Sequence, residues 1–195
     1  MPNYCDNTLE LTHDDPVMIE RAKRAFEEGN LLQEFCPVQQ ELKDTMSGFC
    51  GKDTYAQELL DATEKLNVKW FGHKNWYDYC VNEWGTKWDV GGQDGIITDE
   101  TPNSLRMSFQ SAWSPPVEAY RKMEALGFGI SATYYESGCA FCGSYEEGCE
   151  DTYGIDGNSE WVKENIPSWI DDMYCISLSM SEWEEENPEE EQANG

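Results

Sequence analysis

Three cysteines, Cys139, Cys142 and Cys149, follow the spacing C-x2-C-x6-C. A pair with two residues between suits tetrahedral zinc, which takes four thiolate or imidazole ligands. The fourth ligand would have to arrive from Cys5, Cys50, Cys175 or His13. Period-two alternation sets Cys139 with Phe141 on one strand face and Cys142 on the other, which works against joint ligation. Small buried thiols are therefore expected, with no bound metal. A cysteine nucleophile needs a base beside it, and the chain has two histidines, His13 and His73. Both read as capping or surface residues. In TYGIDGNSEWVK, placing Gly157 sixth in a calcium loop leaves Thr152 first and Lys163 twelfth, so the required carboxylates are missing. The run from Gly91 to Gly95 lacks the spacing and the Lys-Ser/Thr of a phosphate cradle, and no serine sits in a nucleophile elbow. No catalytic residue and no cofactor are expected.

Aromatics offer a different chemistry. In EWGTKWDVGG, Trp84 and Trp88 bracket Lys87, and Trp113 follows later. Trp84, Lys87, Trp88 and Trp113 would lie near one end of a sheet and could line a pocket for a nucleotide or similar small ligand. The favoured reading is structural. Trp84 ends a helix face, Gly85 stops the helix, Trp88 and Val90 open a period-two strand, and GGQDG turns.

Charge supplies a third candidate. Thirty-nine acids face thirteen bases, a formal net charge of −26. Residues 164–195 hold ten acids and no base, so the first 163 residues still carry −16. Such a surface repels nucleic acid and anionic membrane and attracts basic partners; it also serves solubility. The opening MPNYCDN has neither a basic nor an apolar leader region, and no stretch approaches the ~18 apolar residues of a membrane span. A cytoplasmic protein is expected, with reduced thiols and no membrane contact.

These residues must be positioned by a fold. NTLELTH alternates as a strand. DDPVMIERAKRAFEEGN reads as a helix with Asp15 as cap, Pro16 at the first position and Gly29 at the stop. TYAQELLDATEKL opens on a capping box, Thr54 to Gln57, and Tyr55, Leu59 and Leu66 keep helical spacing. NWYDYCVNEWG is another helix. SLRMSFQSAW is a strand with Leu105, Met107, Phe109 and Trp113 on one face. SPPVEAYRKMEALG is a helix, and FGISATYYESGCAFCGSY a hairpin turning at Ser137-Gly138. Beyond it, two short helical pieces split near Pro167, with Trp169, Ile170, Met173 and Tyr174 docking one of them. The order predicts an α+β fold: a ferredoxin-like split βαβ antiparallel sheet with a helical insertion at about 31–84 and a C-terminal helical extension. The expected organisation is a domain over 1–150, a docking segment over 151–181 and a disordered acidic tail over 182–195.

MPNYCDNTLEL, FCPVQQEL, NWYDYCVNEWGTKWDV, SFQSAWSPP and YYESGCAFCG occur in this order. Together, over residues 1–150, they resemble the YubB-type ferredoxin-like family encoded by phages and plasmids. Tyr4, Glu83 and Ser111 depart from its usual Trp, Asn and Thr. The resemblance implies the fold and a mobile-element origin, and brings no agreed activity. With the charge, it leads to the expectation of an accessory protein that binds and inhibits a host defence protein with a basic, nucleic-acid-binding surface, as a nucleic-acid mimic. Duplex DNA carries one charge per ~1.7 Å, so the chain's charge equals that of about 13 base pairs. No direct nucleic-acid binding is expected. Glu20, Glu27 and Glu28 on the first helix, and Glu182, Glu184, Glu185 and Glu186 in the tail, are the expected contact residues.

Overall fold

The computed structural model describes residues 3–187. Strand β1 (Tyr4–Thr12) alternates strictly, with Cys5, Asn7, Leu9 and Leu11 turned inward. It pairs antiparallel with β3 (Ser104–Ala112) on one side and β4 (Gly129–Glu136) on the other, and Leu9 lies between Met107 and Ala132. β2 (Gly95–Thr101) extends the sheet beyond β3. β5 (Phe141–Glu146) and β6 (Cys149–Gly154) extend it beyond β4. The strand order among the described residues is β2-β3-β1-β4-β5-β6, antiparallel throughout.

Helices α1 (Pro16–Glu27) and α6 (Val117–Glu124) cover the inward face. Ile19, Ala22 and Phe26 from α1 and Val117, Tyr120 and Met123 from α6 join Leu9, Leu11, Leu105, Met107 and Phe109 in one core. Asp15 caps α1 by accepting from the Val17 amide at 2.9 Å, and Pro16 occupies the first turn, where its missing N–H costs nothing. Between α1 and β2 run α2 (Leu31–Phe35), α3 (Gln40–Lys43), α4 (Tyr55–Phe71) and α5 (Trp76–Glu83). On the other sheet face, α7 (Ser159–Asn165), α8 (Ser168–Tyr174) and α9 (Ile176–Glu186) bury Cys142, Val162, Ile166, Ile170 and Ile176 in a second cluster.

The structure corrects several expectations. Trp88 and Val90 belong to no strand; the chain enters the sheet at Gly95. It first passes tightly beneath α1. Gly91 has φ 100°, and a Cβ there would sit 2.2 Å from the Phe26 carbonyl oxygen, so only glycine fits. Trp113 does not continue the buried face of β3. The strand ends at Ala112, and a φ of 71° turns Trp113 out, leaving it 41% exposed. The boundary at residue 150 falls inside β6, which pairs with β5 along its length. Residues 182–186, expected in the disordered tail, form the last turns of α9; the remainder of that tail, 188–195, lies outside the described residues. In α8, Ile170 docks as expected, but Trp169 and Met173 are about half exposed. Tyr55, Leu59 and Leu66 do lie on one helix, yet that face points to solvent: α4 buries Leu60 and Asn67 instead.

Because Leu9 is fully buried on the central strand, Leu9→Ala should destabilise the protein by about 3 kcal/mol through lost burial and a residual cavity. Urea titration should show a lower midpoint at unchanged slope.

Candidate partner-binding surface

Two of the sequence stretches that stood out form a joint between α5 and the turn from β3 into α6. Gly85, at φ 86°, follows the end of α5, and a Cβ there would meet the Pro115 carbonyl at 3.1 Å. The Thr86 hydroxyl donates to the Ala112 carbonyl at 2.9 Å, and the Ser114 hydroxyl donates to the Gly85 carbonyl. The Ala119 amide donates to the Trp84 carbonyl at 3.3 Å. Ser111 donates to the Ser114 carbonyl at 2.8 Å and accepts from Asn7 at 2.9 Å, which ties the joint to β1. WGTKW and SAWSPP are thus two sides of one hydrogen-bonded contact.

Trp84 is a core residue. It is buried, and its indole N–H donates to the Cys36 carbonyl at 2.8 Å. Trp88 is 42% exposed, so its expected role as a core anchor does not hold. It belongs to a cluster around the Lys87 ammonium, which lies 4.7 Å from the Trp88 ring, 5.1 Å from Trp113 and 5.8 Å from Tyr77. Aromatic faces are electron-rich and attract cations at such distances. Trp84, Lys87 and Trp88 also line a groove of about 320 Å³ with Trp76, Cys80 and Asp89. Trp113 is not one of its walls. Tyr77 was missed because its helical spacing marks it as apolar and nothing in the sequence tells which loop lysine it will meet.

The carboxylate lining this groove, Asp89, is engaged. The Asp89 carboxylate accepts from the amides of Leu32, Gln33 and Val90 at 2.7, 2.8 and 2.9 Å, capping α2; burial raises its pKa. Glu83 accepts from His73 Nε2 at 2.9 Å and from Lys122, and the hydrogen bond from Lys122 holds its pKa down. Burial pushes Cys80 up to about 12 and Cys36 up to about 11, so both remain thiols at neutral pH. His13 accepts from the Asp15 amide at 2.9 Å through Nδ1, which leaves Nε2–H to donate to the Leu126 carbonyl at 3.3 Å. Cys142 is buried under the C-terminal helices, whereas Cys139 and Cys149 are exposed. Among the described residues, no three His, Cys, Asp or Glu side chains come together in a metal-holding group.

The acids divide unevenly. Residues 146–186 carry thirteen acids and a single base, Lys163. Two of the thirteen are structural. Asp171 is buried and accepts from the Ser177 amide and hydroxyl, both at 2.7 Å, at the start of α9. Glu184 accepts from the Ser159 amide and hydroxyl, both at 2.7 Å, at the start of α7. Carboxylates suit helix N-termini, where unpaired amides and the helix dipole favour negative charge. The other eleven, including Glu182, Glu185 and Glu186, are exposed. Glu150 among them contacts Arg121 at 3.3 Å and the Tyr134 hydroxyl at 3.1 Å.

Glu20, Glu27 and Glu28 are also exposed, but α1 is not an acidic face. It carries Arg21, Lys23 and Arg24 as well, and Lys23 is paired with Glu100 at 2.7 Å. Counting its caps Asp15 and Glu28, that helix holds four acids and three bases, a net of −1. The bases interleaved among the acids of α1 offset their charge.

No family model matches the chain, and no curated protein matches it. Among solved structures it is similar to the protein api92 from Yersinia pseudotuberculosis, of the DUF1281 family, at 14% identity and a TM-score of 0.42, over 81% of this chain and 99% of that one.

Two outcomes follow from this geometry. Asp171→Ala should cost about 2 kcal/mol, since it strands two buried donors, while Asp172→Ala beside it should stay within about 0.5 kcal/mol. Thermal melts of the pair decide this. Alkylation of the native protein at about pH 8 should label Cys149 and Cys175 first and spare Cys5, Cys36, Cys80 and Cys142. Cys139 should lag the other exposed thiols, because its hydrogen bond to Glu136 raises its pKa. Peptide mass mapping over time would read the order.

Proposed function

We propose that this chain is a binding protein that engages a basic, nucleic-acid-binding partner protein through the acidic face of residues 146–186. The observation that carries this is the thirteen acids against one base in that segment, eleven of them exposed and nine of those on strands or helices. A folded array of carboxylates loses little conformational entropy on binding, and it steers a basic partner at long range. A groove evolved to hold phosphates would accept it.

The order β2-β3-β1-β4, with α1 and α6 on one face, supports a ferredoxin-like split βαβ core, with β5 and β6 added at one edge and α7–α9 on the opposite face. Proteins that bind RNA on such a sheet present aromatics and bases there. Here the corresponding face carries Asp6 and Glu10, and Arg106 is paired with Glu10 at 2.8 Å. That speaks for a protein partner. The motif resemblance supports a phage or plasmid accessory factor acting in the host cytoplasm against a defence complex. The groove beside Trp88 supplies neither a thiolate nor a free carboxylate, which favours binding over catalysis.

The test is capture from host lysate by the immobilised chain, followed by graded salt. The partner should elute as salt rises from ~0.1 to ~1 M, because the Debye length falls from ~10 to ~3 Å. Duplex DNA or RNA should displace it. Replacing Glu160, Glu182, Glu185 and Glu186 with Gln should abolish capture, and replacing Glu20, Glu27 and Glu28 should not. A partner indifferent to salt, or not displaced by nucleic acid, would refute the reading.

A further inference from the structure

The outer face of α4 presents Tyr55, Leu59, Leu66 and Trp70 with 79%, 56%, 57% and 71% of their surface exposed, and Ala62 is exposed between them. Positions 55, 59, 62, 66 and 70 fall within one narrow stripe of a helix, spaced as in a two-helix seam. The helix binds its own body elsewhere. Leu60 and Asn67 point inward, and Asn67 donates to the Thr45 hydroxyl and the Lys74 carbonyl, both at 2.8 Å. An apolar stripe about 22 Å long thus faces outward.

We infer that this stripe is the contact between two copies of the chain, with their α4 helices antiparallel about a two-fold axis. Charge around the stripe selects this occupant. Residues 40–75 hold six acids and five of the chain's thirteen bases, a net of −1, whereas the rest of the chain carries −25. A second copy approaches this region without strong like-charge repulsion, and a basic partner has no electrostatic reason to choose it.

The flank of the stripe is self-complementary. Glu58 and Lys65 lie seven residues apart on the same side. In an antiparallel pair, Tyr55 meets Trp70 of the second copy, Leu59 meets Leu66, and the small Ala62 sits at the crossing. Each Glu58 then faces Lys65 of the second copy, and the relation is reciprocal, as a two-fold contact requires. Parallel pairing would set Glu58 beside Thr63 and Lys65 beside Trp70, with no charge pair. Two aromatics and two leucines at these exposures offer roughly 500 Å² per copy, so about 1,000 Å² in the pair. That is the low end of specific interfaces and fits a reversible dimer.

Sedimentation velocity of the full chain tests this. A monomer–dimer equilibrium is expected, shifting toward dimer as salt rises from about 0.05 to about 0.5 M, because screening removes the repulsion between two strongly acidic bodies. Capture of a basic partner by the acidic face has the opposite salt dependence, so the two readings fail separately. Leu59→Asp with Leu66→Asp should abolish the dimer at unchanged helix content and melting, since both side chains are mostly exposed. Glu58→Lys should weaken it about tenfold, through two lost attractions and two new repulsions, and Glu58→Lys with Lys65→Glu should restore it. A chain that stays monomeric at every concentration and salt, a dimer indifferent to the leucine pair, or a charge swap without rescue would overturn the proposal.

Discussion

Strand β1 is bonded on both sides to strands that come from beyond the middle of the chain. Tyr4–Thr12 pairs with Ser104–Ala112 and, from Asp6 onward, with residues 129–135. Neither pairing forms until some ninety residues have been gathered in, so the loop-closure cost falls before the reward of burial. Once β1 is in place, Leu9 and Leu11 lie under α1 and α6, and the joint at Ser111, Ser114, Gly85 and Thr86 can close. The segment between α1 and β2 is left to pack against the side of this unit, mostly through α2, α3 and α5.

A chain this acidic must fold against its own charge. It does so partly by using carboxylates as structural groups. Asp15, Asp89, Asp171 and Glu184 each accept backbone amides at the start of a helix. A carboxylate placed there is favoured over one in bulk solvent near other acids. Both edge strands are charged too: β2 carries Asp99 and Glu100, and β6 carries Glu150 and Asp151. That guards exposed strand edges against pairing with other chains. What remains is segregated, with an acidic C-terminal block and a nearly neutral region around α4.

Most of the fold was legible because its signals are local. The caps at Asp15 and Thr54, the alternation of β1 and β3 up to Phe109, the stop at Gly85 and the break at Pro167 all follow from nearest-neighbour stereochemistry. Errors arose where alternation was carried past the end of a strand, at Trp113, or begun too early, at Trp88. β6 was missed because CEDTYG has almost no apolar signature; it is a strand because β5 offers it a ladder.

By itself the sequence determined the α+β class, the inward faces of the central strands, the excess of acid and the scarcity of bases near the C-terminus. Those depend on residue type and spacing alone. The tertiary structure decided which helix faces are buried and which charges are free. α4 has the periodicity of a buried helix and turns it outward, because Leu60, Asn67 and the body beneath them take its other side. Glu184 looks like its neighbours in the acidic run and is a cap, because α7 happens to start within 2.7 Å of it. Lys87 gains Tyr77 from α5 and Trp113 from beyond β3 as aromatic neighbours. Contacts of that kind join residues ten to ninety positions apart, and no local pattern encodes them.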